Sequence, residues 1–273
     1  MKKLKPLLIL SLLLFTTILI HDSLVRHTAA ASSRQAAAAA QEALAQLGST
    51  VNAVIDDSNS TDVSVALINI DTGTAHDYGV RGPMIGASTT KVLTAVTYMD
   101  QVEHGKASLY QKINGIKASS LLYGMLNQSN DDDWVDLNYY LTYPVITAYA
   151  NAHGWTAYKW ASNSMSTANE AALLTQLYTH KLLNTANTNF ILNALQNTNN
   201  EDLIPPALPA SATVYHKYGE YATSLHDAAI ITNEGKSYAL VIYTAGKDRL
   251  DYRAQQAIIQ QITKAVVSYE EKA

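Results

Sequence analysis

Strand-like patterning in this chain is confined to two separated stretches, residues 63–80 and 212–244, and the block between them reads as mostly helical. Val63 to Ile70 alternates as a strand does, Asp71-Thr72-Gly73 is a turn signal, and Ala75 to Val80 returns as a hairpin partner. After Pro205-Pro206-Ala207-Leu208-Pro209 the strand pattern resumes over Ala212–Lys217, His226–Thr232 and Tyr238–Thr244, with Asn233-Glu234-Gly235-Lys236 as the turn between the last two. Asp251 to Glu270 closes the chain as an amphipathic helix with Ile258, Ile259, Ile262, Val266 and Val267 on its apolar side. Two strands from one end and three from the other can share one antiparallel sheet. The helices between them then form a second lobe, with a cleft where the lobes meet. The expected fold is therefore α/β of the α+β type: an antiparallel five-stranded sheet flanked by N- and C-terminal helices, plus an inserted all-helical lobe over about 88–203.

Within that lobe, Ser88, Val92, Ala95, Val96, Met99 and Val102 recur at helical spacing and stop at Gly105. Short helices are expected at Ser119–Leu126, from the Asp131-Asp132-Asp133 cluster onward, and after Pro144, ending at Gly154. Thr167-Ala168-Asn169-Glu170 reads as a capping box opening another helix, and Phe190, Ile191, Ala194 and Leu195 belong to a fifth.

The chain has 273 residues, 48% of them hydrophobic, which is enough for a sizeable core. Net charge is -4 with only 15% charged residues, and no basic cluster lies beyond the extreme N-terminus, so nucleic acid is not an expected partner. Met1 to Ile20 reads as a targeting segment: Lys2, Lys3 and Lys5 precede an apolar run from Leu7 to Ile20. Residues 1–21 are thus a signal peptide, with a cleavage site at Ala29-Ala30-Ala31, or an uncleaved membrane anchor with the lysines inside and the domain outside. An Ala/Ser-rich tether follows over 22–38, and the folded domain spans 39–270. The chain holds no cysteine, which excludes a disulfide framework and any thiolate site. No histidine joins an Asp or Glu at a metal-binding spacing, so neither metal nor other cofactor is expected; His153, His216 and His226 read as surface or half-buried. Trp134, Trp155 and Trp160 read as core or cleft-wall residues. A monomer is expected.

The chemistry-bearing pattern is Ser88-Thr89-Thr90-Lys91, where a strand-like stretch gives way to a helix. A serine hydroxyl is a weak nucleophile until a neighbouring base takes its proton. Positions i and i+3 share a helix face, which puts the Lys91 amine within reach of Ser88. Read plainly, the pair is also an ordinary N-cap followed by a solvated lysine.

The ordered set Ser88-Thr89-Thr90-Lys91, Ser129-Asn130-Asp131 and Lys217-Tyr218-Gly219 resembles the S-x-x-K, S-x-N and K-[ST]-G series of class A serine β-lactamases and penicillin-binding D,D-peptidases. The likeness spans roughly residues 40–270. It implies that Ser88 is acylated, that Lys91 is its base, that Lys217 is the cation lowering the Lys91 pKa and attracting a substrate carboxylate, and that Ser129 relays a proton to the leaving nitrogen. It also implies an oxyanion hole from the Ser88 N–H and a backbone N–H past Gly219, near Tyr221. The implied substrates are β-lactams or small peptidoglycan-like peptides ending in D-Ala-D-Ala, met outside the cell by a protein held at the membrane through its N-terminal segment.

Three departures stand out. Asp131 replaces an Asn that contacts the substrate amide, and a carboxylate accepts but cannot donate. Tyr218 replaces a small hydroxyl residue, with bulk enough to alter the carboxylate subsite. The stretch from Trp155 to Met165 carries no Glu to activate a deacylating water; Ser162 and Asn163 are not bases, and Glu170 is assigned to its capping box. Slow deacylation is therefore expected. The rival reading is a catalytically impaired relative acting as a peptidoglycan- or protein-binding module.

Overall fold

A computed structural model describes residues 34, 35, 37–58 and 61–272. Segment 1–21 and most of the 22–38 tether lie outside the described residues. Among the described residues, no helix is long and apolar enough to cross a membrane.

The first helix, α1, runs over 37–57. The first hairpin follows as β1 (Thr61–Asn69) and β2 (Ala75–Gly79), then a short β3 (Met84–Ile85). A 3-10 turn over Ala87–Thr90 feeds α2 (Lys91–Glu103). The helical lobe continues through a two-residue hairpin, β4 (Lys112–Ile113) and β5 (Ile116–Lys117), to α3 (Ala118–Asn127), α4 (Asp131–Leu141) and α5 (Tyr143–Ala152). It closes with β6 (Ser164–Met165), α6 (Thr167–Tyr178) and α7 (Thr185–Ala194). The chain returns to the sheet as β7 (Thr213–Tyr221), β8 (Ser224–Asn233) and β9 (Lys236–Gly246), and ends in α8 (Tyr252–Glu270).

The sheet order is β2-β1-β9-β8-β7, antiparallel throughout. The two halves of the sequence join where β1 pairs β9, from Thr61 opposite Gly246 to Asn69 opposite Tyr238. This is the five-stranded sheet expected from the pattern. β8 and β9 are central and buried along most of their length because helices cover both faces. Ala66, Ala228, Ile230, Val241 and Tyr243 face the helical lobe, whereas Val65, Leu67, Leu225, Ile231 and Ile242 face α1 and α8. Alternate side chains point to opposite faces, so each apolar strand serves two cores at once. The β8–β9 hairpin turns at Glu234 and Gly235, both with positive φ, as a two-residue turn matched to strand twist requires.

Four sequence expectations are corrected. The α6 N-cap is Ser166, whose side chain accepts the Asn169 N–H at 3.2 Å; Glu170 lies one residue too far along to close a capping box. β7 extends four residues past Lys217, so Lys217, Tyr218, Gly219 and Tyr221 all lie on one edge strand. His216 and His226 are fully buried rather than surface or half-buried. The lobe expected to be all-helical also holds the short strands β4, β5 and β6. β6 pairs β3, with Met84 opposite Met165 and Ile85 opposite Ser164. That pairing is too short to leave a period-2 pattern, yet it draws the 155–165 loop against Ser88.

Candidate active site

Ser88 sits in the 3-10 turn ahead of α2, not in the first turn of an α-helix. Ser88 and Lys91 are three residues apart across the junction of this turn with α2. The turn is braced on two sides. From the 155–165 loop, Asn163 accepts the Gly86 N–H on its carbonyl at 2.7 Å, donates from Nδ2 to the Ala87 carbonyl at 2.8 Å, and accepts the Thr90 hydroxyl at 2.6 Å. These bonds hold Ala87 at φ 48, a conformation an alanine adopts only under constraint.

On the other side runs β7. A Cβ on Gly219 would stand 3.0 Å from the Ser88 nitrogen and 3.1 Å from the Gly86 carbonyl oxygen. Only a glycine lets the strand come this close to the turn. Gly219→Ala must push the two backbones apart by a few tenths of an ångström. We expect at least a tenfold slower covalent labelling of Ser88 by a fluorophosphonate, because small displacements of reacting groups are costly. A labelling rate equal to wild type would show that the strand does not set the serine's position.

Lys91 is completely buried. Its amine donates to the Ser129 carbonyl at 2.6 Å and to Asp131 Oδ1 at 2.6 Å, with a longer contact of 3.4 Å to Ser129 Oγ. Trp134 lies over it, with the amine 5.7 Å from the ring centre. Lys217 is 1% exposed and donates to Ser129 Oγ at 2.9 Å and to the Tyr218 carbonyl at 2.9 Å. Ser129, held at φ 55 just before α4, thus bridges both lysines. Asn130 caps α4, accepting the Asp132 and Asp133 N–H groups.

The electrostatics of the pair differ from the expected division of labour. Burial pulls the Lys91 amine down, and the bond and charge of Asp131 pull partly back. Burial and then the neighbouring Lys91 bring Lys217 down to about 7. The lysine that a neighbouring cation depresses is Lys217, with Lys91 held by Asp131. The Ser88 hydroxyl makes no hydrogen bond among the described residues, to Lys91 or otherwise.

Beneath the turn lies a buried layer that sequence reading missed. The Tyr243 hydroxyl meets Thr89 Oγ1 at 2.9 Å and donates to Glu170. Glu170 is fully buried there, and burial lifts its carboxyl to about 7 against the bonds from Tyr243 and Thr89. His226 stacks on Tyr243 at 4.1 Å, offers one ring nitrogen to the Ile85 carbonyl and takes the Thr244 N–H on the other. Such bonding fixes a neutral tautomer, and burial holds His226 down to about 4. Only the return of β8 and β9 behind the turn brings these groups together. His216 is buried behind β7 between Asp227, at 2.9 Å, and Glu201, at 3.2 Å. Burial alone would lower His216, but the two carboxylates outweigh it and lift it to about 9.

Ser88 opens onto a cleft of about 600 Å³ walled by Ile85, Trp134 and Val135, by residues 160–163 and by Glu220 and Tyr221. Asp131 also faces it. Tyr218 does not line it: its ring packs against the α1–α8 core, with Lys217 Nζ 4.2 Å from the ring centre and Asn199 at 3.4 Å from its hydroxyl. Trp155 is core, whereas Trp134 and Trp160 are cleft walls. Among the described residues, no group of His, Asp or Glu is placed to hold a metal.

The chain is similar in structure to a PBP-A variant solved as an acyl-enzyme complex with penicillin G (TM-score 0.77, 19% identity, covering 84% of this chain and 98% of that one). It is similar to an ancestral class A β-lactamase (0.75, 21%, 81% and 98%) and to a β-lactamase from Chitinophaga pinensis DSM 2588 (0.73, 22%, 81% and 98%). These likenesses establish the fold. No curated protein matches the sequence. A model of the beta-lactamase enzyme family matches residues 46–136 and 118–269, nearly all of the described chain. With that match added to the fold, this chain belongs to the beta-lactamase enzyme family.

Proposed function

We propose that the protein is an exported serine hydrolase, held at the membrane by its N-terminal segment, that is acylated at Ser88 by β-lactams or by D-Ala-D-Ala-like envelope amides and esters. The observation that carries this reading is a pair of buried lysines, Lys91 and Lys217, joined through Ser129, with Ser88 three residues before Lys91 in the lining of the cleft. In the proposed step Ser88 Oγ bonds to the acyl carbon and its proton passes to the lysine pair. The carbon–nitrogen or carbon–oxygen bond then breaks, and Ser129 returns a proton to the leaving group. The oxyanion is received by the Ser88 N–H and by the backbone past Gly219, which reaches the same cleft at Glu220 and Tyr221. Export is supported by the lysine-flanked apolar run at 1–20. Intact-mass analysis after exposure to a fluorophosphonate and, separately, to a penicillin tests the assignment: one adduct per chain, mapped to Ser88, is expected.

The pH dependence follows from the lysine pair. Raising the pH removes a proton from the pair, with Lys217 at about 7, and so generates the base. Labelling of Ser88 is expected to rise about tenfold per pH unit below that midpoint and to level off above it. A rate independent of pH between 5 and 9 would mean that neither lysine takes the proton.

One observation favours the rival reading of a binding module. Among the described residues, Asp131 binds the Lys91 amine and the Ser88 hydroxyl has no hydrogen-bonded base. Reversible penicillin binding without any adduct would decide for it.

A further inference from the structure

Resting on the acylation of Ser88, a second question is which acyl groups the cleft admits. Its charged lining among the described residues is acidic. Asp131 lines it with a side chain 80% exposed, and Glu220 lines it from the edge of β7. No lysine, arginine or histidine is among the lining residues. Lys217, the cation that a substrate carboxylate would seek, is 1% exposed and turned onto Ser129 and Tyr218. Lys159, next to the wall residue Trp160, turns its amine to the Thr156 carbonyl at 3.3 Å. Three of the remaining lining residues are aromatic. Trp160 is 49% exposed and stacked on Tyr143 at 4.5 Å, Tyr221 is 62% exposed, and Trp134 also lines the cleft.

A carboxylate on the acyl part meets Glu220 and the exposed side chain of Asp131, whose Oδ1 is tied to Lys91 at 2.6 Å, and no cation among the described lining residues. An ammonium meets opposite charge and aromatic faces, each of which attracts it. We infer that the cleft selects acyl donors whose acyl part carries an ammonium group, over those with a neutral acyl part and, more strongly, over those whose acyl part carries a carboxylate. Partly exposed ion pairs and cation–π contacts are individually modest, so two or three together set a preference of about tenfold.

The test uses p-nitrophenyl esters of acetyl-lysine, acetyl-norleucine and acetyl-glutamate on the full chain, with Ser88→Ala as the blank. In each case Ser88 Oγ bonds to the acyl carbon, the bond to the nitrophenolate oxygen breaks, and the serine proton goes to the lysine pair. The nitrophenolate burst then reads the acylation rate. The lysyl ester is expected to acylate about tenfold faster than the norleucyl ester, and the glutamyl ester slowest. The lysyl-to-norleucyl ratio should fall in 1 M salt, where screening shortens to about 3 Å. It should also fall in Asp131→Asn and in Glu220→Gln. A fluorophosphonate runs in parallel as a neutral probe. If it labels Ser88 while the lysyl ester is not preferred, the inference is wrong and the serine-hydrolase reading stands. If it does not label Ser88, both fall. A preference undiminished in both variants would overturn the assignment to these two carboxylates.

Discussion

Ser88→Ala folds like the wild type and takes up no covalent label. The expectation of an unaltered fold rests on the hydroxyl itself. Ser88 is half-buried at the cleft edge, and its oxygen makes no hydrogen bond among the described residues. The bonds that hold the turn belong to Gly86, Ala87, Thr89 and Thr90. Removing one unbonded oxygen at such a place changes stability by no more than about 0.5 kcal/mol. Chemistry, in contrast, is expected to be lost outright, because Ser88 is the cleft-lining serine of the Ser88–Lys91 motif and Ser129 is already committed to the two lysines. Thermal unfolding and intact mass after fluorophosphonate treatment measure the two halves of the claim. An adduct that persists at another residue would remove the central assignment.

The second large effect concerns release of the acyl group. A chromogenic cephalosporin is expected to give a burst near one equivalent and then turnover slower by at least about a hundredfold, the usual worth of a placed general base. Hydrolysis of an acyl-serine needs a group that holds water against the ester. The loop that faces Ser88 presents Trp160, Ala161, Ser162 and Asn163, and Asn163 is fully engaged in bracing the turn. Asp131 is bound to Lys91. Glu170 does not cap its helix; it lies buried against Tyr243 and Thr89, away from the cleft lining. Fast steady turnover that survives Glu170→Gln would place the deacylating base elsewhere. Fast turnover lost in Glu170→Gln would show that water reaches the layer beneath the turn.

The fold was legible in the sequence because it rests on local patterns. Alternation marked β1, the Asn233–Lys236 turn marked the β8–β9 hairpin, and the apolar stripe of Ile258, Ile259, Ile262 and Val266 marked α8. The order Ser88, Lys91, Ser129, Lys217 was equally legible, since each lies in a short motif. What those residues do to one another was not. That Lys91 pairs with Asp131, that Lys217 is the amine pressed down to about 7, and that Tyr218 turns away from the cleft depend on which side chains meet across four elements. The Glu170–Tyr243–Thr89 layer and the Asn163 brace join residues more than seventy positions apart. Periodicity reports a residue's own helix or strand. Burial, and the neighbouring charges that add to or oppose its effect on each pKa, are set by the chain that arrives from elsewhere to exclude the water.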